Sequence, residues 1–341
     1  MKTYKVIKIK GATAYERGVQ YGQQAKTEID IAVAFYKKKF EKKFTWSQII
    51  EYAQKFEKVS TEFYPEAVEE MRGIADGSGY TIEEIIAVNA RYEISQFDWQ
   101  KECTTGVFLN PEKKKKFIFK NCDLGRDVEN HLVILDVTKP DGFHAIGVAE
   151  AGQLIRDGYN SCGVALVNSA LRSGIDGAGV AVPGTIIRQK VWDSSEFETA
   201  CQIQRGMYRT VSTNMLIGGK SGCAVDFECY PGGEDEVFPQ NGVIGTGNRF
   251  TIHPERNRAI DPAIDRGLQL KKLLEKNREE MDVETIKRIL SNHEGYPESI
   301  CRHADEIGHS TVYSIIIDMT EDIVYICAGN PCCGEYQEYR V

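Results

Sequence analysis

The sequence predicts an α+β fold in which antiparallel sheets are flanked by helices. Two observations carry this expectation. Residues 14 to 95 read mostly as helix, whereas from about residue 103 the chain becomes a series of short apolar runs separated by polar turns. Runs joined by short loops pair as hairpins, and helices segregated around such hairpins favour antiparallel sheets over an alternating parallel architecture. There is no internal repeat at a fixed period and no low-complexity linker, so one domain over residues 1–341 is the simpler organisation.

The elements follow in order. A short strand over Val6 to Lys10 opens the chain. Thr45-Trp46-Ser47-Gln48 and Thr81-Ile82-Glu83-Glu84 fit the capping box, in which a threonine and a residue three positions on satisfy each other's backbone N–H groups. Ile49, Ile50, Tyr52, Ala53 and Phe56 then recur at helical spacing, as do Ile82, Ile85, Ile86 and Asn89. Asp76-Gly77-Ser78-Gly79 reads as a turn between two helices. Gly106 to Leu109 and Phe117 to Phe119 are strands around a lysine-rich loop that opens on Asn110-Pro111. Further strands are expected at His131 to Thr138, His144 to Glu150, Gly163 to Ser169, Met215 to Gly218 and Cys223 to Cys229. Helices return at Glu196 to Arg205, Pro262 to Asn277 and Val283 to His293. Val312 to Asp318 and Ile323 to Ala328 close the chain as a hairpin across the polar turn Met319 to Asp322.

Composition narrows the function. A formal net charge of −8 and merely local lysine runs argue against a nucleic-acid-binding face. No run approaches the length of a membrane span, and the alternating N-terminus lacks the apolar core of a secretory signal, so a cytoplasmic protein is expected. The ten cysteines contain no C-x-x-C pair, so neither a disulfide framework nor a metal site is expected, and no cofactor. Cys162, Cys201, Cys223 and Cys327 sit among apolar neighbours and read as buried core residues. Cys332-Cys333, in a turn after Asn330-Pro331, is a weak metal or redox candidate. His253, His303 and His309 lack an evident triad partner and read as surface or hydrogen-bonded residues.

A chemically suggestive constellation surrounds Cys103. Asn121-Cys122-Asp123 ends the strand that follows, so a hairpin folds Asp123 back near Cys103. The wider pattern resembles the acyl-coenzyme A:6-aminopenicillanic-acid acyltransferase-like family, relatives of the choloylglycine hydrolases. The resemblance rests on the glycine pattern from Gly11 to Gly22, on Cys103-Thr104-Thr105, on Lys120-Asn121-Cys122-Asp123, and on Asn160-Ser161-Cys162-Gly163. Thr246-Gly247-Asn248-Arg249-Phe250 and Gly329-Asn330-Pro331-Cys332 extend it towards the end of the chain.

The resemblance implies a four-layer αββα fold of the N-terminal-nucleophile type. It also implies self-cleavage at Glu102–Cys103 into fragments 1–102 and 103–341. Cys103 would then be both nucleophile and new N-terminus, its own amine (pKa of about 7.7–8.0 in isolation) serving as base. Asp123 would orient that amine, while Asn248 and Asn168 would donate hydrogen bonds to the oxyanion. Thr104 and Lys120 would contribute to substrate binding. The substrate would be a small acyl-amide or acyl-thioester, with hydrolysis and acyl transfer both open.

Each role has a structural rival. Asp123 also suits a turn cap at Asp123-Leu124-Gly125, and the asparagines suit sheet-end positions. Asn160 and Asn214 are read as structural. Glu102 stands where the family has glycine, Lys120 where related hydrolases have arginine, and Arg249 where the family has histidine. These departures keep open a silent binding module on the same fold, and association between copies of the chain is left open too.

Overall fold

The structure, a computed structural model, describes residues 2–95, 102–177, 179–257, 265–304 and 308–341. Threonine opens three of its helices. Thr13, Thr45 and Thr81 each accept the N–H three residues on, while Glu16, Gln48 and Glu84 reach back to the capping residue's own N–H. The boxes at Thr45 and Thr81 are the two read from the sequence. The first helical layer comprises α1 (Ala14–Gln24), α2 (Lys26–Phe40), α3 (Trp46–Phe63), α4 (Pro65–Ser78), α5 (Ile82–Asn89) and α6 (Arg91–Ser95).

Asp76-Gly77-Ser78 is not the turn that the sequence suggests. α4 continues through Ser78, and only Gly79, at φ 82°, leaves the helix. The glycines serve a close crossing of α1 and α4. A Cβ at Gly73 would lie 2.1 Å from Tyr15 O and one at Gly77 would lie 2.3 Å from Val19 O, while Gly18 and Gly22 face them under the same constraint. A four-residue spacing keeps each pair on one helix face.

Two sheets follow. The first has eight strands in the order β1 (Lys5–Lys10), β4 (Leu132–Thr138), β5 (His144–Glu150), β6 (Asp157–Asn160), β7 (Val164–Ala170), β8 (Thr213–Gly219), β9 (Ala224–Tyr230) and β10 (Gly233–Val237). The second has six, in the order β11 (Val243–Thr246), β2 (Glu102–Asn110), β3 (Lys115–Leu124), β12 (Ser310–Asp318), β13 (Ile323–Ala328) and β14 (Tyr336–Arg340). The expectation of purely antiparallel sheets needs one correction. β1 runs parallel to β4, with Ile7 opposite Leu135, because the chain returns to that edge only after a long crossover through the helices and the β2–β3 hairpin.

The two-residue period of the strands sorts side chains into layers. In β2, Cys103, Val107 and Leu109 face the other sheet, whereas Phe108 faces away. In β3, Ile118, Cys122 and Leu124 face inward, and Phe117 and Phe119 face outward. Between the sheets these residues meet Tyr159, Val167, Leu216 and Ile315. The far side of the first sheet packs on Ile29, Tyr36 and Ile85 of the first helical layer. It also packs on α7 (Gly184–Trp192) and α8 (Phe197–Gln204) through Ile187, Trp192 and Ala200. The far side of the second sheet packs on α9 (Arg266–Lys276) and α10 (Val283–Leu290) through Leu270, Leu274 and Ile286. The result is the four-layer αββα sandwich. The expected beginning of α9 at Pro262 lies outside the described residues.

Two cysteines depart from expectation. Cys162 and Cys223 are exposed, because Cys162 sits in the turn between β6 and β7 and Cys223 in the turn before β9. Cys201 and Cys327 are buried, as their neighbours imply. Among the described residues no helix is long and apolar enough to cross a membrane.

The α1–α4 crossing supplies a stability test. Gly73→Ala places a methyl against backbone rather than against a movable side chain, so the helices must separate. Chemical denaturation should show a loss of about 2 kcal/mol or more, in the range of core overpacking. An exposed control, Gly174→Ala, meets nothing within 4 Å and should leave stability near wild type.

Candidate active site

The β2–β3 hairpin fixes the register of the site: Cys103 stands opposite Cys122, and Glu102 opposite Asp123. Because neighbouring residues of a strand point to opposite faces, the Cys103 and Cys122 thiols share the inner face while Asp123 points outward. Asp123 is thus close to Cys103 along the hairpin, with its carboxylate on the other side of the sheet. There, fully buried, it accepts from Arg266 Nη1 at 2.5 Å and from Thr311 Oγ1 at 2.7 Å.

Arg266 joins the two sides. Its Nη2 donates to Asn248 Oδ1 at 3.1 Å and approaches the carbonyl of Cys103 at 3.4 Å. Asn248 Oδ1 also accepts the backbone N–H of Cys103 at 2.8 Å, and Asn248 Nδ2 donates to Ala170 O at 2.8 Å. The segment after β11 that carries Asn248 is itself anchored. Glu228 accepts from Thr251 N and Oγ1 and from Ile252 N, at 2.7, 2.5 and 3.2 Å. At the strand end, Thr105 and Thr246 share a hydroxyl–hydroxyl bond of 2.5 Å. Arg266 went unread in the sequence, where nothing marks the first turn of α9 as reaching the hairpin.

The Cys103 thiol forms part of the wall of a cavity of about 940 Å³, counted out to the solvent at its mouth. Asn168, Arg156 and Met215 line it from the first sheet's side, Ile187 and Arg188 from α7, and Tyr92 from α6. Asn168 donates its backbone N–H to Asp157 Oδ1 at 2.7 Å. Its amide is oriented so that Nδ2 donates to Arg156 O and Asp157 Oδ1, each at 3.2 Å. Asp157 also receives Lys120 Nζ at 2.7 Å and the Tyr313 hydroxyl, so three elements converge on one carboxylate.

Two expected substrate contacts are absent from the cavity wall. Lys120 is wholly buried between the sheets in its ion pair with Asp157. Thr104, one residue after Cys103, faces the opposite layer, where its buried hydroxyl has no hydrogen-bond partner among the described residues. Asn160 and Asn214 are structural: Asn160 Nδ2 donates to Trp192 O and Ser194 O, and Asn214 Nδ2 donates to Asp226 Oδ2.

The electrostatics single out Cys103. Its thiol is pulled down to about 6, first by the hydrogen bond from the Cys122 thiol. Burial opposes this, and the charges of Lys120 and then Arg156 reinforce it. Burial drives Cys122 the other way, well above the ordinary thiol range, so Cys122 keeps the proton of the pair. Burial raises Asp123, and the charges of Arg266 and Arg302 hold that rise back. A site of this kind can present a thiolate at neutral pH beside a cavity whose walls are largely apolar, with a few polar and charged groups set in them.

Alkylation of Cys103 tests the pairing. Because the thiolate is the reacting form, a lowered pKa makes the rate rise and level off at lower pH than for an ordinary thiol, near 8.5. Following the Cys103 peptide by mass, the midpoint should lie below that value. Cys122→Ala removes the donor and should move it upward by about one unit or more. Cys122→Ser, which keeps a hydroxyl donor, should move it less.

Comparison with known proteins places the chain. The acyl-coenzyme A:6-aminopenicillanic acid acyl-transferase family matches residues 109–332, a stretch that contains Asp123, Asn168 and Asn248 and begins just after Cys103. No curated protein sequence matches the chain. Solved structures show distant likenesses. A Caenorhabditis elegans ortholog of N-acylethanolamine-hydrolyzing acid amidase is 13% identical with a TM-score of 0.48, over 64% of this chain and 93% of that one. Penicillin V acylase from Agrobacterium tumefaciens is 16% identical with a TM-score of 0.47, over 66% and 83%. A variant of the conjugated bile acid hydrolase from Clostridium perfringens is 13% identical with a TM-score of 0.44, over 70% and 97%. With more than half of its length matched, the chain belongs to the acyl-coenzyme A:6-aminopenicillanic acid acyl-transferase family.

Proposed function

We propose that the chain is a cysteine-dependent amidohydrolase or N-acyltransferase that works through an acyl-Cys103 intermediate and is matured by cleavage of the Glu102–Cys103 bond. The observation that carries this reading is the position of Cys103. Its thiol lies in the cavity wall, while its backbone nitrogen rests on Asn248 at the head of β2. Cleavage turns that nitrogen into an amine, whose lone pair can take the thiol proton.

In the proposed reaction, the Cys103 sulfur attacks the carbonyl carbon of an amide or thioester. The carbonyl oxygen becomes an oxyanion, and a primary amide carries two N–H groups. Asn248 Nδ2 gives one to Ala170 O and has its second for the oxyanion. Collapse expels the amine or thiol, which receives the proton held by the Cys103 amino group. Water then attacks the acyl-cysteine and releases the acid, or an amine attacks and carries the acyl group away. Asp123 acts as a positioning residue through Arg266, and Asn168 shapes the wall facing the thiol.

The denaturing mass of the purified chain tests maturation and nucleophile together. Wild type, 38.3 kDa uncut, should appear as fragments of roughly 11–12 and ~27 kDa, and Cys103→Ala should stay whole. The variant should also lose turnover of acyl-amide substrates. Turnover undiminished in Cys103→Ala would sink the reading.

The cavity also points to an acidic substrate. Arg188 lines it, is buried, donates Nε to Ile155 O at 3.3 Å, and forms no ion pair with a carboxylate among the described residues. Burial, with Arg91 and Arg156 nearby, lowers its pKa to about 9 against the opposing charges of Asp157 and Glu93, so it remains a cation at neutral pH. An acyl or amine portion bearing a carboxylate would give it a direct anionic partner in addition to the more distant charges of Glu93 and Asp157. Arg188→Leu should raise KM for such a substrate by about tenfold or more while changing kcat little, and its uncharged ester should show no such difference.

A further inference from the structure

We propose that His293, Cys301, His303 and Cys332 form a structural zinc site, separate from the cavity and independent of any role for Cys103. The four residues come from three segments: His293 follows α10, Cys301 and His303 lie on the connection towards β12, and Cys332 sits in the turn after β13. One ligand atom from each, two imidazole nitrogens and two sulfurs, lies within 4.8 Å of the other three. His293 Nε2 and His303 Nε2 are 3.0 Å apart, and His303 Nε2 is 3.4 Å from Cys332 Sγ and 4.0 Å from Cys301 Sγ.

These separations fit a tetrahedron. Zinc–sulfur bonds of about 2.3 Å and zinc–nitrogen bonds of about 2.0–2.1 Å place neighbouring ligand atoms roughly 3.3–3.8 Å apart. The observed distances straddle that range, so only small adjustments bring all four onto one ion. The donor set selects the metal class: two thiolates and two imidazoles suit zinc and exclude magnesium or calcium, which take oxygen ligands. Asn330 Nδ2, 3.8 Å from Cys301 Sγ, provides an outer hydrogen bond to a sulfur ligand. Four protein ligands leave no open position, so the ion would hold structure rather than activate water.

What it would hold is the layer behind Asp123. Arg302 lies between two of the ligands, and its backbone N–H donates to Thr311 Oγ1 at 3.0 Å; that hydroxyl donates to Asp123 Oδ1 at 2.7 Å. Asn330 Nδ2 donates to Arg302 O, and Ser310 Oγ donates to Asn330 Oδ1 at 3.2 Å. A zinc ion would fasten the loop carrying Arg302 to α10 and to the β13 turn. The sequence hides the site because its ligands lie eight, two and 29 positions apart.

The full chain, expressed with zinc in the medium and dialysed against metal-free buffer, should retain near one zinc per chain by elemental analysis. Cys332→Ser and His293→Ala, both at exposed positions, should lose it, whereas Cys162→Ser should not. Cobalt(II) added to the metal-free wild type should give the visible absorption of a tetrahedral thiolate complex, absent in the two ligand variants. A chelator should lower the Tm of wild type and leave that of Cys332→Ser unchanged. Wild type without bound zinc or a cobalt band, zinc retained equally by both ligand variants, or a Cys301–Cys332 disulfide in the nonreducing peptide map would overturn the proposal.

Discussion

The guanidinium of Arg266 sits where the start of α9, the head of β2, the end of β3 and the Asn248 segment come within one side chain's reach. It is almost fully buried and bonded to a fully buried carboxylate. Removing either member would strand a charge, a cost of about 3–5 kcal/mol, far above that of a surface ion pair. Close backbone packing makes the placement possible. A Cβ at Gly267 would lie 2.7 Å from Gly247 N, and one at Gly245 would lie 2.6 Å from Gly267 O. α9 therefore seats directly on β11 and the following segment, and its first arginine has little choice of direction. The Cys103 backbone, held in register by the β2–β3 hairpin, is tied to this seating through Asn248 and Arg266.

A second buried carboxylate does the corresponding work between the sheets. Asp157, on β6, binds Lys120 from β3, Tyr313 from β12 and the backbone of Asn168 from β7. Two layers that meet largely through apolar side chains are thereby tied at one buried polar point. Lys120 contributes its charge to the Cys103 thiol from within this ion pair. A lysine suffices there because a single point contact is made, and no planar fork is required.

The layers were legible in the sequence where local chemistry was strong. The capping boxes at Thr45 and Thr81, the β2–β3 hairpin and the closing hairpin all follow from short-range patterns. What escaped was set by tertiary context. β10 (Gly-Glu-Asp-Glu-Val) and β14 (Tyr-Gln-Glu-Tyr-Arg) are sheet-edge strands with a charged composition, and β6 and β11 have four residues each. None offers the apolar alternation by which strands are recognised. In the site, proximity of Cys103 and Asp123 was readable from hairpin spacing, but the face each presents depends on register. That one-residue difference put Asp123 outward and Thr104 away from the cavity. Arg266 and Arg188 reach the site from distant helices, and spacing along a chain carries no record of such meetings.

The parallel pairing of β1 with β4 has a consequence for any cut in the stretch before Cys103. β1 lies in the first sheet, and the helices from α1 to α6 form the roof over that sheet. The piece so released shares its hydrophobic core with the remainder and has no core of its own to retreat into. The two pieces would part only by exposing that core, so separation and denaturation become one event. A nicked molecule should then melt at a temperature that depends on protein concentration, as a two-chain assembly does, where the uncut chain melts independently of it.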